Sequence, residues 1–188
     1  MCTLPSDAGH VLLPIARSSI SRVLGVAHDA SEDADWLNQP GASFVTLTQQ
    51  HQLRGCIGTL EAHRPLLLDI KANAQAAAFE DPRFSPLTEK ELGYTEIEVS
   101  LLSAMQALQF ADEREALAQL RPGIDGVVFE FGRHRSTFLP WVWEQLPDTV
   151  EFMAHLKHKT GLHPDFWDNG VRLYRYTASK WKERDIGQ

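Results

Sequence analysis

Apolar positions recur along this chain with two different periods, and each change of period marks a new element. Leu13, Ala16, Ile20, Val23 and Ala27 are spaced for one face of a helix over about residues 11–27. Pro14 belongs in its first turn, where a missing N–H costs nothing. Residues 29–41 are acidic and irregular and read as an exposed connection. Residues 44–48 (FVTLT) and 53–57 (LRGCI) flank the polar segment QQHQ, the pattern of a β-hairpin. Pro65 opens a second helix running to about Phe79, with Leu66, Ile70, Ala74 and Ala77 on one face. The pair Asp81-Pro82 ends it, because a residue before proline avoids helical angles. Residues 96–103 (EIEVSLLS) alternate as a strand with Ile97, Val99 and Leu101 inward.

The second half repeats the mixture. Residues 113–120 read as a helix, and Pro122-Gly123 turns into a strand over 126–131 (GVVFEF). Gly132-Arg133-His134 turns that strand back into residues 136–139. Asp148 with Glu151 three residues on forms a capping-box pattern for a helix whose inner stripe is Phe152, Met153, Leu156 and Thr160. Gly161 stands where that helix should end, and residues 171–176 form a last strand. Hairpins outnumber regular crossovers, which predicts an α+β fold with helices flanking a largely antiparallel sheet.

Composition narrows the class. The chain has 188 residues, 43% of them hydrophobic and 23% charged, enough for one substantial domain or two small packed ones. No apolar run approaches the roughly 20 residues that span a bilayer. The start, MCTLPSDAGHVLLP, lacks the basic segment and apolar block of a signal peptide. Cys2 and Cys56 form no Cys-x-x-Cys pair, which weighs against a disulfide framework or a cysteine-based zinc site. The expectation is a reduced, cytoplasmic protein with no bound cofactor. A net charge of −7 makes nucleic-acid binding unlikely on balance of charge. The short basic clusters Arg133-His134-Arg135 and Lys180, Lys182, Arg184 read as solvated surface.

Candidate chemistry concentrates in residues 53–58, LRGCIG, which set Cys56 between two glycines and beside an arginine. Glycine permits close approach of a backbone or ligand, and a neighbouring cation favours the thiolate. Strict alternation puts Arg54, Cys56 and Gly58 on one face, with Arg54 about 7 Å from Cys56, and Leu53, Gly55 and Ile57 on the other. Glu98 and Ser100 likewise share a face. If the two strands lie in one sheet, Arg54 can pair with Glu98 across a pocket holding Cys56 and Ser100, suited to proton transfer or anion binding. The competing reading is a half-buried cysteine on an edge strand and a solvent-facing polar ladder. Asn73 falls inside an apolar stripe and is expected to fasten its helix to a nearby loop, the Gly55–Gly58 segment, with ligand contact as the second reading. Arg83, in Asp81-Pro-Arg-Phe84, is placed either to clamp an anion or to pair with the local Asp. His155, His158 and His163 raise a metal site, but the two helical histidines fall on the solvent side, where Lys157 and Lys159 repel a cation. No phosphate-loop, dinucleotide or H-E-x-x-H motif occurs.

These stretches together resemble the AMMECR family, whose bacterial members are labelled AmmeMemoRadiSam system protein A. The resemblance rests on Gly41-Ala-Ser-Phe-Val-Thr-Leu47, the hexapeptide 53–58, Asp81-Pro-Arg-Phe84, Glu98-Val-Ser100, Phe138-Leu-Pro140 and Lys159-Thr-Gly-Leu162, in order over nearly the whole chain. Trp141 and Trp143, and Pro14, depart from the pattern. The resemblance implies one unit of two subdomains with the hexapeptide near a cleft between them. It also implies a Memo-like protein and a radical S-adenosylmethionine (radical-SAM) protein as partners, and it supplies no reaction. Three readings follow. In the first, an enzyme or enzyme subunit uses Cys56 as nucleophile or redox thiol, with Arg54 lowering its pKa and Glu98 or Ser100 handling protons; Arg83, Asn73, Gly55 and Gly58 bind substrate. In the second, a non-catalytic module binds a metalloenzyme or radical-SAM partner and Cys56 merely packs. The third, an RNA-contacting domain, suits the negative charge poorly.

Overall fold

In a computed structural model, which describes residue 5 and residues 7–186, the chain divides into two compact units. One holds the residues up to Leu102 and those from Ser179 onward; the other is Ser103–Ala178. Cys2 lies outside the described residues. The fold is α+β, with two four-stranded antiparallel sheets. No helix among the described residues is long and apolar enough to cross a membrane.

The first unit begins with helix α1 (Gly9–Val23), followed by the hairpin β1 (Ala42–Gln49) and β2 (Gln52–Gly58). Helices α2 (Leu66–Phe79) and α3 (Glu89–Leu92) lead into β3 (Glu96–Leu102). Pro14 lies inside α1, further in than the first turn the sequence suggested. Its ring removes the donor that would serve the His10 carbonyl. Burial offsets that loss, since Leu12, Leu13, Ile15, Ala16 and Ile20 are completely buried. The hairpin closes through Gln50 and His51, both at positive φ (50° and 66°), the two-residue turn that matches strand twist.

Val45, Leu47, Ile97 and Val99 face α1 and α2 and form the core with Ile70, Ala74 and Ala77. A fourth strand, β8 (Ala178–Lys182), completes the order β2-β1-β3-β8. Sequence periodicity missed it, because ASKWK carries one apolar anchor. That anchor, Trp181, lies against Gly9 of α1, where a Cβ would sit 2.5 Å from the indole. Lys180 and Lys182 therefore take the opposite face.

Asn73 does fasten α2, though to different partners than expected. Its amide donates to the Ser43 carbonyl (3.0 Å), to Thr59 Oγ1 (3.0 Å) and to Asp69 Oδ2 (2.9 Å), and not to the Gly55–Gly58 segment. Asp69, fully buried and unnoticed in the sequence, is the centre of this knot. It accepts five hydrogen bonds, from the Ser43 N–H and hydroxyl, Thr59, Arg64 and Asn73. So many donors make a buried carboxylate tolerable.

The second unit comprises β4 (Gln106–Ala107), α4 (Glu113–Ala118), β5 (Gly126–Phe131), β6 (His134–Phe138), α5 (Thr149–Lys159) and β7 (Arg172–Tyr176), with strand order β4-β7-β5-β6. Asp148 caps α5 by accepting from Val150 N and Glu151 N, and Gly161 ends it at φ +84°. Phe152, Met153 and Leu156 are buried against Val127, Phe129 and Leu173. Trp143 is core as well: it stacks on Phe152 at 3.6 Å and donates to the Asp125 carbonyl at 2.7 Å. A last short helix, α6 (Glu183–Ile186), follows β8 and is tied to α1 by Glu183 and Arg17 at 2.5 Å.

The two hexapeptide glycines are filled from within, and their neighbours differ in kind. A Cβ at Gly55 would stand 2.1 Å from the backbone oxygen of Ala77 in α2, whereas one at Gly58 would meet the Phe44 ring at 2.2 Å. A helix backbone has no room to give and a ring can swing aside. Gly55→Ala is therefore expected to cost about 3 kcal/mol and Gly58→Ala about 1 kcal/mol. Urea denaturation of both variants checks the order, and equal losses would contradict it.

Candidate functional site

The register around Cys56 decides what its sulfur meets. Thr46 of β1 stands opposite Cys56 on one side and opposite Glu98 of β3 on the other. Cys56, Thr46 and Glu98 thus form a row across three strands, on the face away from α1 and α2. This part of the sequence expectation holds. Ser100 is on the same face but one row along, opposite Phe44, whose other partner is Gly58. The Ser100 hydroxyl is buried and has no hydrogen-bond partner among the described residues.

Arg54 is not in this group. Gly55 pairs with Leu47 while Leu53 pairs with Thr48, so Arg54 is an extra residue with no opposite number, a β-bulge. The bulge breaks the alternation that would have put Arg54 beside Cys56. Its guanidinium instead meets Glu91 of α3, at 3.1 and 3.4 Å. Glu91 also receives Gln49 at 3.4 Å, and Gln49 alternates with Leu47 on the helix side of the sheet. Leu53, opposite Thr48, is left 43% exposed. The expected pairing of Arg54 with Glu98 is likewise replaced. Glu98 faces Lys182 at 3.2 Å and Lys180 at 3.9 Å, both from the strand that periodicity missed. In the tail cluster read as solvated surface, Lys180 and Arg184 are indeed exposed and Lys182 is half-buried, but all three are paired, with Arg184 on Glu96 at 3.4 Å. Thr48, His51, Glu96, Glu98, Lys182 and Arg184 line a pocket of about 150 Å3.

Arg83 takes the local partner. It holds Asp81 through Nη2 at 2.7 Å and Nε at 2.9 Å. Together the two residues seal the free edge of β2: Asp81 accepts the Cys56 N–H at 2.9 Å and Arg83 Nη2 donates to the Cys56 carbonyl at 3.3 Å. An edge strand must cover its outward groups, and side chains do so here. Phe84 lies under both guanidiniums, Arg83 at 5.4 Å and Arg54 at 5.9 Å from the ring centre.

The thiol itself is quiet. Burial pushes the Cys56 pKa up from its ordinary value. The Thr46 hydroxyl, 3.3 Å from Sγ, and Arg83 pull it down, while Asp81 and Glu98 push it further up. Arg54 plays no part in that balance. Gly55 and Gly58, expected to admit a ligand, are occupied by Ala77 and Phe44. His155 and His158 are exposed as expected, but Lys157 is buried, paired with Glu113 at 2.5 Å. No cluster of three His, Cys, Asp or Glu suited to a metal occurs among the described residues.

Arg83 holds the Asp81 carboxyl well below the usual carboxylate range, and Arg54 holds Glu91 down at about 2. Depressed folded-state pKa values stabilise the fold above the ordinary carboxylate pKa of ~4, and this contribution is lost as pH falls through the folded values. Asp81→Asn is therefore expected to flatten the loss of stability between pH ~4 and ~2. Urea midpoints measured across that range test it; an acid limb as steep as the parent's would contradict the assignment.

The AMMECR1 family model matches residues 13–181, a span that includes the hairpin, the Asp81–Phe84 turn and both sheets. Protein SSO0193 of Saccharolobus solfataricus is 37% identical over 96% of this chain and 83% of its own length. A protein of Methanothermobacter thermautotrophicus is 34% identical over 96% of each chain. The crystal structure of the uncharacterized protein PH0010 from Pyrococcus horikoshii superposes with a TM-score of 0.86 at 30% identity, covering 96% of this chain and 93% of that one. On fold, motif order and these likenesses, the chain belongs to the AMMECR1 family.

Proposed function

We propose that this protein is a non-catalytic, cytoplasmic binding module, and that the polar face of its first sheet receives a charged segment of a partner protein. The observation that carries this reading is the state of Cys56. Its thiol is raised in pKa by burial, and the arginine expected to activate it is drawn by the bulge to Glu91. A nucleophilic cysteine needs the thiolate near neutral pH, and the environment here favours the thiol. Beside the quiet sulfur, Glu98, Glu96, Lys182 and Arg184 surround a hollow of about 150 Å3, too small for most metabolites and large enough for one side chain. Partners of the Memo-like and radical-SAM kinds fit this reading through family membership. The competing reading, Cys56 as catalytic thiol, draws support from the Thr46 hydroxyl bonded to its sulfur and from Glu98 in the same row.

Peptide-resolved iodoacetamide labelling of the native protein across pH separates the two and keeps Cys2 apart. The expected apparent pKa for Cys56 is above ~8.5, and a value below ~7.5 would overturn the binding-module reading. Cys56→Ala is expected to keep co-purification with tagged Memo-like and radical-SAM proteins, while Glu98→Lys is expected to lower it at least tenfold. Loss of function in cells from Cys56→Ala alone would instead favour the enzyme.

A further inference from the structure

The small hollow on the first sheet is partly filled by the chain's own tail. Arg184, in α6, reaches in with Nε 3.4 Å from Glu96 Oε1 and Nη1 3.3 Å from His51 Nδ1. A third contact runs from Nε to Asp185 at 3.7 Å. All three are long beside the 2.7 Å of Arg83 on Asp81, and 46% of the Arg184 side chain stays exposed.

Glu96 is under-used in the same measure. Its Oε1 is buried and has no hydrogen-bond partner among the described residues, and its Oε2 takes the Thr48 hydroxyl at 3.5 Å. An ionised carboxylate accepts about four hydrogen bonds, and a buried oxygen left without one is costly. The neighbouring acids are better served. Glu98 faces Lys182 and Lys180, and Glu183 accepts from Arg17 and from the Ile97 N–H. On the far side of Arg184 lies a second, open hollow of about 370 Å3, bounded by Tyr94 and Glu183 and sharing Glu96 and Arg184 with the first. The Glu96–Arg184 pair is thus a partition between two adjoining spaces. Tyr94, 58% exposed, offers an aromatic surface in the second.

We infer that the partner segment received on this face inserts an arginine, which takes the place of Arg184 against Glu96 while the segment runs past Tyr94. This inference rests on the partner-binding reading above and names the chemistry of the partner. The tail arginine is an internal stand-in, since it shows that a guanidinium fits the space and that its bonds there are weak. A forked guanidinium entering from outside can meet Glu96 with better alignment and lay its plane on the tyrosine ring. Once Arg184 is displaced, Glu96 keeps only the Thr48 hydroxyl, so the vacated place takes a cation and repels a carboxylate. In the free protein the tail competes for the same position and lowers the apparent affinity.

NMR titration of the full chain with the blocked pentapeptide Gly-Gly-Arg-Gly-Gly tests the inference, with Lys and Glu in the central place as counterparts. The Arg peptide is expected to shift the backbone amides of Thr48, His51 and Glu96. It is expected to bind about threefold tighter than the Lys peptide and about tenfold tighter than the Glu peptide. Arg184→Ala removes the competitor and is expected to tighten the Arg peptide about fivefold. Arg22→Ala, the same loss of charge at an exposed position on α1 across the sheet, is expected to change it less than about twofold. Glu96→Gln is expected to weaken it about tenfold. Preference for the Glu peptide, or an Arg184→Ala variant that binds the Arg peptide no tighter than the parent, would overturn the inference and leave the partner-binding reading standing. That reading fails separately, if Glu98→Lys keeps full co-purification with the tagged partners.

Discussion

The approach of α2 to β2 at Gly55 is the constraint from which the local chemistry follows. The Ala77 carbonyl oxygen lies so close to the strand that no side chain fits at residue 55. The bulge beside it puts Arg54 out of register and sends its guanidinium to Glu91. With Arg54 removed, the sulfur of Cys56 is left among Thr46, Glu98 and the Asp81–Arg83 pair. A contact made of backbone thus determines which charge reaches the thiol.

Charge is distributed in pairs rather than in a reactive cluster. Arg54 goes to Glu91, Arg83 to Asp81, Lys182 to Glu98 and Arg184 to Glu96. Each arginine or lysine that a sequence reader would offer to the cysteine already has a carboxylate at hydrogen-bonding or ion-pair distance. A thiol lowered in pKa needs uncompensated positive potential, and paired cations supply little of it. Half-buried pairs of this kind add modestly to stability, so their larger effect is on geometry.

Much of the fold was legible because periodicity reports burial. The hairpin, α2, β3, β5, α5 and their caps lie within a few residues of where the apolar spacing puts them. The failures share a cause, which is that tertiary contacts overrode local pattern. Strand β8 has one large apolar residue, so its signal is only Trp181 on Gly9. The bulge at Arg54 leaves no mark in the letters, since alternation is assumed until a helix carbonyl forbids it. Asp69 carries no local signal of burial, yet Ser43, Thr59 and Asn73 converge on it from separate parts of the chain. The neighbouring histidines put Lys157 on the solvent side, whereas it is buried, its ammonium 5.5 Å from the Trp167 ring centre and paired with Glu113.

The hexapeptide that carries the family resemblance is explained almost entirely by packing. Arg54 anchors α3, Gly55 admits α2, the Cys56 backbone is sealed by Asp81 and Arg83, Ile57 packs on the core, and Gly58 lies under Phe44. A run of residues so specific in spacing invites a catalytic interpretation, but the spacing is what one close helix backbone, one close aromatic ring and one sealed edge require. The sulfur is the only reactive atom in the segment with no structural duty beyond a hydrogen bond from Thr46. Whatever this face recognises is therefore set by the side chains flanking the motif, on β3 and β8, more than by the motif itself.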